Sequence, residues 1–220
     1  MENLILYLAK SSLGIALFYS TYWLFLRKQT FFNANRLFLL LGITLPLILP
    51  FIEIQYNASF NDQGVIYTLG QLDKTFKSLP ADAYNNSTDE YLSWINIIGI
   101  IYLTGITIFF LRLLWQTIEL LILIQKNGIQ KREGLLVVEN KKYGLPFSFI
   151  NLIFLNPIFH NGTDLNSILT HEKVHIREKH WFDLLLVELL TVFFWFNPFA
   201  WLFERSIKQN HEYLADQGVL

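Results

Sequence analysis

The feature that most constrains this chain is a set of three long apolar runs within its first 125 residues. Residues 3–26 are interrupted only by Lys10, and residues 37–52 and 91–111 carry no charge. As a helix rising ~1.5 Å per residue, the first run reaches ~36 Å, enough to cross a hydrocarbon core of ~30 Å. It is too long for the apolar core of a signal peptide, and no small-residue cleavage site follows it. The second run is short and holds Pro46 and Pro50, so a kinked span is expected. The third continues into an amphipathic stretch with Arg112 and Glu119, so its helix should run on into the headgroups, with Arg112 snorkelling. Trp23, Trp94 and Trp115 lie near span ends, where indole rings favour the interface. Composition agrees: 53% of the residues are hydrophobic and 16% charged, where a soluble domain carries about 25% charged. A soluble globule of this length cannot hide so much apolar surface. The expected fold is a mainly α membrane protein with spans at about 3–26, 37–54 and 91–113 and a loop over 55–90. Residues 1–125 form the transmembrane helical region, and residues 126–220 form a second unit.

Lysine and arginine placement orients these spans. Arg27, Lys28 and Arg36 follow the first span without an acid, and Lys126, Lys131, Arg132, Lys141 and Lys142 follow the third. The loop between spans two and three holds Lys74 and Lys77 against Glu53, Asp62, Asp73, Asp82, Asp89 and Glu90. The positive-inside rule puts the N-terminus and that loop outside, and the residues after span three in the cytoplasm. Glycosylation-type triplets at Asn57, Asn85 and Asn86 read as chance matches in an Asn-rich loop. A net charge of -1 gives no case for nucleic-acid binding. The absence of cysteine excludes disulfides, thiolate metal sites and a thiol nucleophile.

Past the third span the texture changes. GLLVVE (134–139) and NLIFL (151–155) read as strands around the NKKYG turn, a small β-hairpin element. Residues 161–164 then read as a loop and helix N-cap. All five histidines lie from His160 onward, so chemistry is expected there.

The helix that follows contains His171-Glu172-Lys173-Val174-His175, an HExxH motif. The i,i+4 spacing puts both imidazoles on one helical face. Glu172 sits about 100° away around the helix, where it can reach a metal-coordinated water as catalytic base. One catalytic Zn2+ suits this set, because neutral imidazole is a good ligand and a catalytic site keeps one position open. The bland alternative is a solvated helix face with two surface histidines. A third ligand is needed. The metzincin pattern fails, since positions 178 and 181 hold Glu178 and Trp181 in place of its Gly and His. Downstream, Glu212 and Asp216 are i,i+4 on one helix face. Glu212 can ligate the metal, and Asp216 can accept a hydrogen bond from the far nitrogen of a ligating histidine.

Residues 184–203 are apolar except for Glu188, and Asn197-Pro198 interrupts them. As one span they would put Glu212 across the membrane from His171 and His175. As a helical hairpin they bring it back, with ~31 Å of helix out and ~21 Å returning. Asn197 is a fair N-cap and Pro198 suits a first turn. The hairpin is expected to lie in, or dip into, the cytoplasmic leaflet, with Glu188 in a hydrogen bond that stabilises it.

HEKVHIREKHWFD, then FNPFAWLFERSIKQNHEYLAD, with LPFSFINLIFLNP before them, resembles the BlaR/MecR-type sensor-transducer integral-membrane zinc metallopeptidases of gluzincin type. The 37-residue step from His175 to Glu212 is its most specific feature. The resemblance covers nearly the whole chain and implies that His171, His175 and Glu212 bind zinc and Glu172 is the base. It implies a bacterial inner-membrane protein with a cytoplasm-facing site, which cleaves itself or a cytoplasmic regulator such as a transcriptional repressor. The family's last span and external sensor have no counterpart before Leu220, so sensing through a β-lactam-binding domain is not expected. Membrane lipid and a protein or peptide substrate are the expected partners, the latter extended along the 151–155 strand. His180 and His211 are read as groups behind the ligands or at the surface, or alternatively as stabilisers of the tetrahedral intermediate. His160 is read as a surface residue. Two other readings stand beside this one: an HtpX-like membrane quality-control protease, and a membrane receptor or anchor that binds no metal.

Overall fold

The computed structural model describes residues 2–52, 81–132, 134–159 and 165–219. Most of the loop assigned to 55–90, His160 and the expected N-cap at 161–164 lie outside them. The protein is mainly α-helical. Helix α1 (Glu2–Thr21) ends in a π-helical turn, Tyr22–Leu26. Helix α2 (Phe32–Ile48) carries Pro46 in its last turns and tightens into a 3-10 turn at Leu49–Phe51. Two prolines four residues apart remove two helical donors, which gives the kinked end the sequence implies. Helix α2 begins five residues before its apolar run because its polar first turn is satisfied. Buried Asn35 donates to the carbonyls of Leu26 (3.3 Å) and Gln29 (3.2 Å), closing the α1–α2 connection. Helix α3 (Ala81–Asn127) contains the third apolar stretch. Three stretches among the described residues are long and apolar enough to span a membrane: Asn3–Leu26, Phe32–Phe51 and Trp94–Asn127. The last, at ~1.5 Å per residue, is ~51 Å long and outruns a bilayer core.

The C-terminal unit contributes helices α4 (Leu165–Arg177), α5 (His180–Phe193) and α6 (Pro198–Gln217). Helices α5 and α6 form the expected hairpin. Asn197 caps α6, its side-chain oxygen accepting from the Phe199 N–H at 2.9 Å, and Pro198 opens the first turn. The hairpin stands along the first two helices, and Ile15, Tyr19, Leu39 and Ile43 form one buried core with Val187, Leu190, Phe194, Ala200, Phe203 and Ile207. At one end Tyr19 and Ser206 hydroxyls meet at 3.3 Å. At the other, Trp195 and Phe196 share a groove with Leu4, Ile5 and Leu8. Glu188 pairs across the hairpin with Lys208 at 3.7 Å.

Lipid is as apolar as leucine, so helices at this depth associate through close packing rather than apolar burial alone, and small residues sit where they touch. A Cβ at Gly14 would meet Pro46 at 2.9 Å, one at Gly42 would meet Phe203 at 2.9 Å, and one at Gly105 would meet the Trp195 indole at 2.2 Å. The last contact docks the hairpin tip on α3, with the Trp195 ring stacked near Phe109. Gly105→Ala must displace this indole, and overpacking of this kind costs about 1–3 kcal/mol. A lower thermal midpoint in detergent is therefore expected for Gly105→Ala, and an unchanged midpoint would show that the tip is not docked there.

Both expected strands form, but they do not pair as a hairpin. The sheet holds β1 (Gln130–Arg132), β2 (Leu135–Glu139), β3 (Phe147–Phe149) and β4 (Leu152–Leu155) in the order β1-β2-β4-β3. Strands β2 and β4 run parallel, with Val137 opposite Ile153, while β1 and β3 pair antiparallel at the edges. The reason lies in the connection: after the NKKYG turn the chain builds β3 at the edge, then doubles back through Ile150 (φ 55°) into β4. The turn is tied down first. The Tyr143 hydroxyl donates to Glu119 of α3 at 2.5 Å, Lys142 pairs with the same carboxylate, and Asn156 donates to the Tyr143 carbonyl at 3.1 Å. Val137, Ile153 and Leu155 pack on Leu169 of α4, which fixes that helix against the sheet.

Candidate metal centre

Helix α4 buries Leu169 against the sheet, sets Val174 beside Gly218 at the end of α6, and turns His171 and His175 toward α6. The hairpin returns Glu212 and Asp216 to meet them. The two histidine Nε2 atoms lie 3.2 Å apart. Glu212 Oε2 is 3.5 Å from His171 Nε2, and Glu212 Oε1 is 3.9 Å from His175 Nε2. A tetrahedral zinc with bonds of about 2.0–2.2 Å sets its ligand atoms ~3.3–3.5 Å apart. The donor set therefore fits that ion in both chemistry and spacing: two imidazole nitrogens and one carboxylate, all within 4.8 Å of one another. The Asp216 carboxylate lies 3.2 Å from His171 Nδ1, within reach of a ring hydrogen there, an arrangement that would leave Nε2 available to a metal.

The electrostatics suit ligation. Burial pulls the pKa of His175 down to about 4, with the His171 and His211 imidazoles acting in the same direction, so the ring is neutral at pH 7. Glu172 is 5% exposed and faces the edge strand. Burial raises its carboxyl above the usual range, and the Ser148 side-chain hydrogen bond and His171 oppose this. A carboxylate whose pKa is raised in this way is a better proton acceptor near neutrality. Beside these groups opens a cleft of about 860 Å³, lined by Leu145, Phe147, Ile168, Leu184 and Val219 as well as the six polar residues named. The ligand set is thus open on one side.

One assignment from the sequence is narrowed and another needs correction. His180 and His211 are both buried at 2% exposure, and neither lines the cleft. His180 Nδ1 lies 2.8 Å from His175 Nδ1, behind the ligand. His211 stacks on His180 with ring centroids 3.9 Å apart and bonds Asp183 at 2.8 Å through Nε2. The hairpin turns both rings into the protein and away from the cleft, so of the two roles weighed for them a place behind the histidine pair agrees with their position. The 151–155 strand cannot receive an extended peptide, because β4 is hydrogen-bonded on both sides, and the edge beside the cleft is β3.

Sequence reasoning passed over Ser148, Asp183 and Arg36. Arg36 counted only as an orienting charge, yet it bonds Asp183 at 2.6 Å. The available signal was His180 and Asp183 at i,i+3, one turn apart at the start of a helix.

The family model for BlaR1 peptidase M56 matches residues 148–220. The matched segment begins at Ser148 and takes in α4, α5 and α6, which carry every residue of the cluster. The resemblance to BlaR/MecR-type peptidases seen in the sequence is shown over this segment, and the three membrane helices lie outside it. A comparison with curated proteins finds no match. The chain is therefore a membrane-type helical protein whose C-terminal third is similar to a metallopeptidase family.

Proposed function

We propose that the protein is a membrane-embedded zinc metalloendopeptidase, oriented with its site toward the cytoplasm of a bacterial cell, that cleaves itself or a cytoplasmic regulator in response to a signal. The observation that carries this reading is the convergence of His171, His175 and Glu212 at metal-ligand spacing beside a buried Glu172. The family match over 148–220 supports it. His171, His175 and Glu212 would hold the ion. Zinc, when bound, supplies Lewis-acid chemistry, acidifying water and polarising a peptide carbonyl. Glu172 takes the proton of the attacking water and later delivers it to the leaving amine. Ser148 lines the cleft beside Glu172 and favours its charged form. An extended substrate adds to the β3 edge by main-chain hydrogen bonds, with an apolar side chain against Ile168, Leu184 and Val219. Residues 126–220 act as the peptidase unit, and their α5–α6 hairpin shares a core with α1 and α2.

The expected activity is cleavage in a membrane preparation that a chelator abolishes and added zinc restores. Cleavage that persists without metal would remove the reading. Comparing proteomes with and without the protein separates signalling, which stabilises one regulator, from quality control, which stabilises many substrates.

Orientation has its own test. Lys173, Arg177 and Lys179 precede the hairpin, and Arg205 and Lys208 follow it, so both ends belong on the positive side. Alkaline phosphatase fused after Leu220 should be silent, and the same enzyme fused at Asp73 should be active. Strong activity at Leu220 would place the metal cluster outside.

A further inference from the structure

We propose that Arg36, in the first turns of membrane helix α2, is a positioning residue for the metal centre and the point through which movement of α2 reaches it. This deepens the peptidase reading and rests on it. The guanidinium grips the corner between α4 and α5 on both sides. Its Nη2 donates to the Glu178 carbonyl at 2.7 Å, and its Nε donates to Asp183 Oδ2 at 2.6 Å. Between these anchors Lys179 adopts φ 56°, a conformation that non-glycine residues rarely take. The corner joins the helix carrying His175 to the helix carrying His180.

From Asp183 the contacts continue without a gap. The same Oδ2 accepts from His211 Nε2 at 2.8 Å, His211 lies flat on His180 at 3.9 Å, and His180 Nδ1 meets His175 Nδ1 at 2.8 Å. With His175 Nε2 turned toward the metal, its Nδ1 carries the hydrogen and donates it to His180. The direction of a metal-bound imidazole is set by the partner of its other nitrogen. That partner is held by a stacked ring, a carboxylate, and finally a charge on α2. Asp183 is 2% exposed and Arg36 is 20% exposed, so little water is available to replace either bond. A shift or rotation of α2 withdraws Arg36 from the corner, and the corner carries His180 with it.

The test uses the whole chain in nanodiscs, as wild type, Arg36→Ala, Arg36→Lys, Asp183→Asn and the lipid-facing control Leu37→Ala. Each is titrated with zinc against a competing chelator and, separately, loaded with Co2+ for its visible absorption spectrum. Arg36→Ala and Asp183→Asn are expected to weaken zinc binding about 10–100-fold, shift the cobalt bands and lower kcat at unchanged KM. Arg36→Lys should recover part of the loss, because an ammonium reaches Asp183 but does not also cap the Glu178 carbonyl. Leu37→Ala should match wild type. Wild-type zinc affinity and cobalt spectrum in both Arg36→Ala and Asp183→Asn would overturn the inference. If Arg36→Ala fails to fold, Asp183→Asn, which keeps its volume, decides it by the same two readouts. A wild-type chain that binds neither metal would instead overturn the peptidase reading on which the inference rests.

Discussion

Glu172→Gln is expected to slow peptide cleavage by about 10²–10⁴-fold, the usual contribution of a general base, while the protein keeps its zinc. The substitution preserves shape and removes only the ability to accept a proton. Glu172 is buried against the β3 edge, beside the Ser148 side chain. An amide of the same shape fits there, so the fold and the neighbouring side chains should not move. The metal cluster excludes Glu172: the converging atoms belong to His171, His175 and Glu212. Loss of cleavage with full metal content would separate the proton-transfer role from ligation. Cleavage at the wild-type rate would remove the catalytic assignment.

Glu212→Ala should have the opposite signature. Its side chain is 62% exposed and packs little, so the metal-free variant should unfold within about 0.5 kcal/mol of metal-free wild type. The ion, however, loses one of three protein ligands. The expected drop in zinc affinity exceeds the ~10–100-fold typical of removing a hydrogen-bond partner behind a ligand. Ligand binding stabilises a fold by about 4.1 kcal/mol at a thousand times Kd, so zinc should raise the thermal midpoint of wild type and leave Glu212→Ala unmoved. An equal zinc shift in both proteins would show that Glu212 is not a ligand.

The residues that could be read from the sequence are those whose roles depend on local periodicity. The i,i+4 spacings of His171 with His175 and of Glu212 with Asp216 fix which side chains share a helix face, whatever the rest of the chain does. The Asn197-Pro198 turn was legible for a similar reason, since a proline and a capping asparagine act within one turn. Distant partners were not legible. Nothing in the local pattern links Arg36 to Asp183, 147 positions away, and the pairing emerges only when the hairpin stands against α2. The sheet order failed for a related reason. Two strands joined by a short turn suggest a hairpin, but the three-residue β3 pairs on the outer side of β4 and makes β2 and β4 parallel neighbours. The packing of the hairpin was hidden as well, because the small residues that admit it, Gly42 and Gly105, lie on other helices.

The central claim is that this cluster holds a catalytic zinc, and the most direct measurement is the metal content of the purified full chain, beside a His171→Ala, His175→Ala double variant. The account predicts about one zinc per wild-type chain, in line with one three-ligand site, and none above background in the variant. A folded wild-type protein without zinc, with His171 and His175 chemically intact, would contradict it.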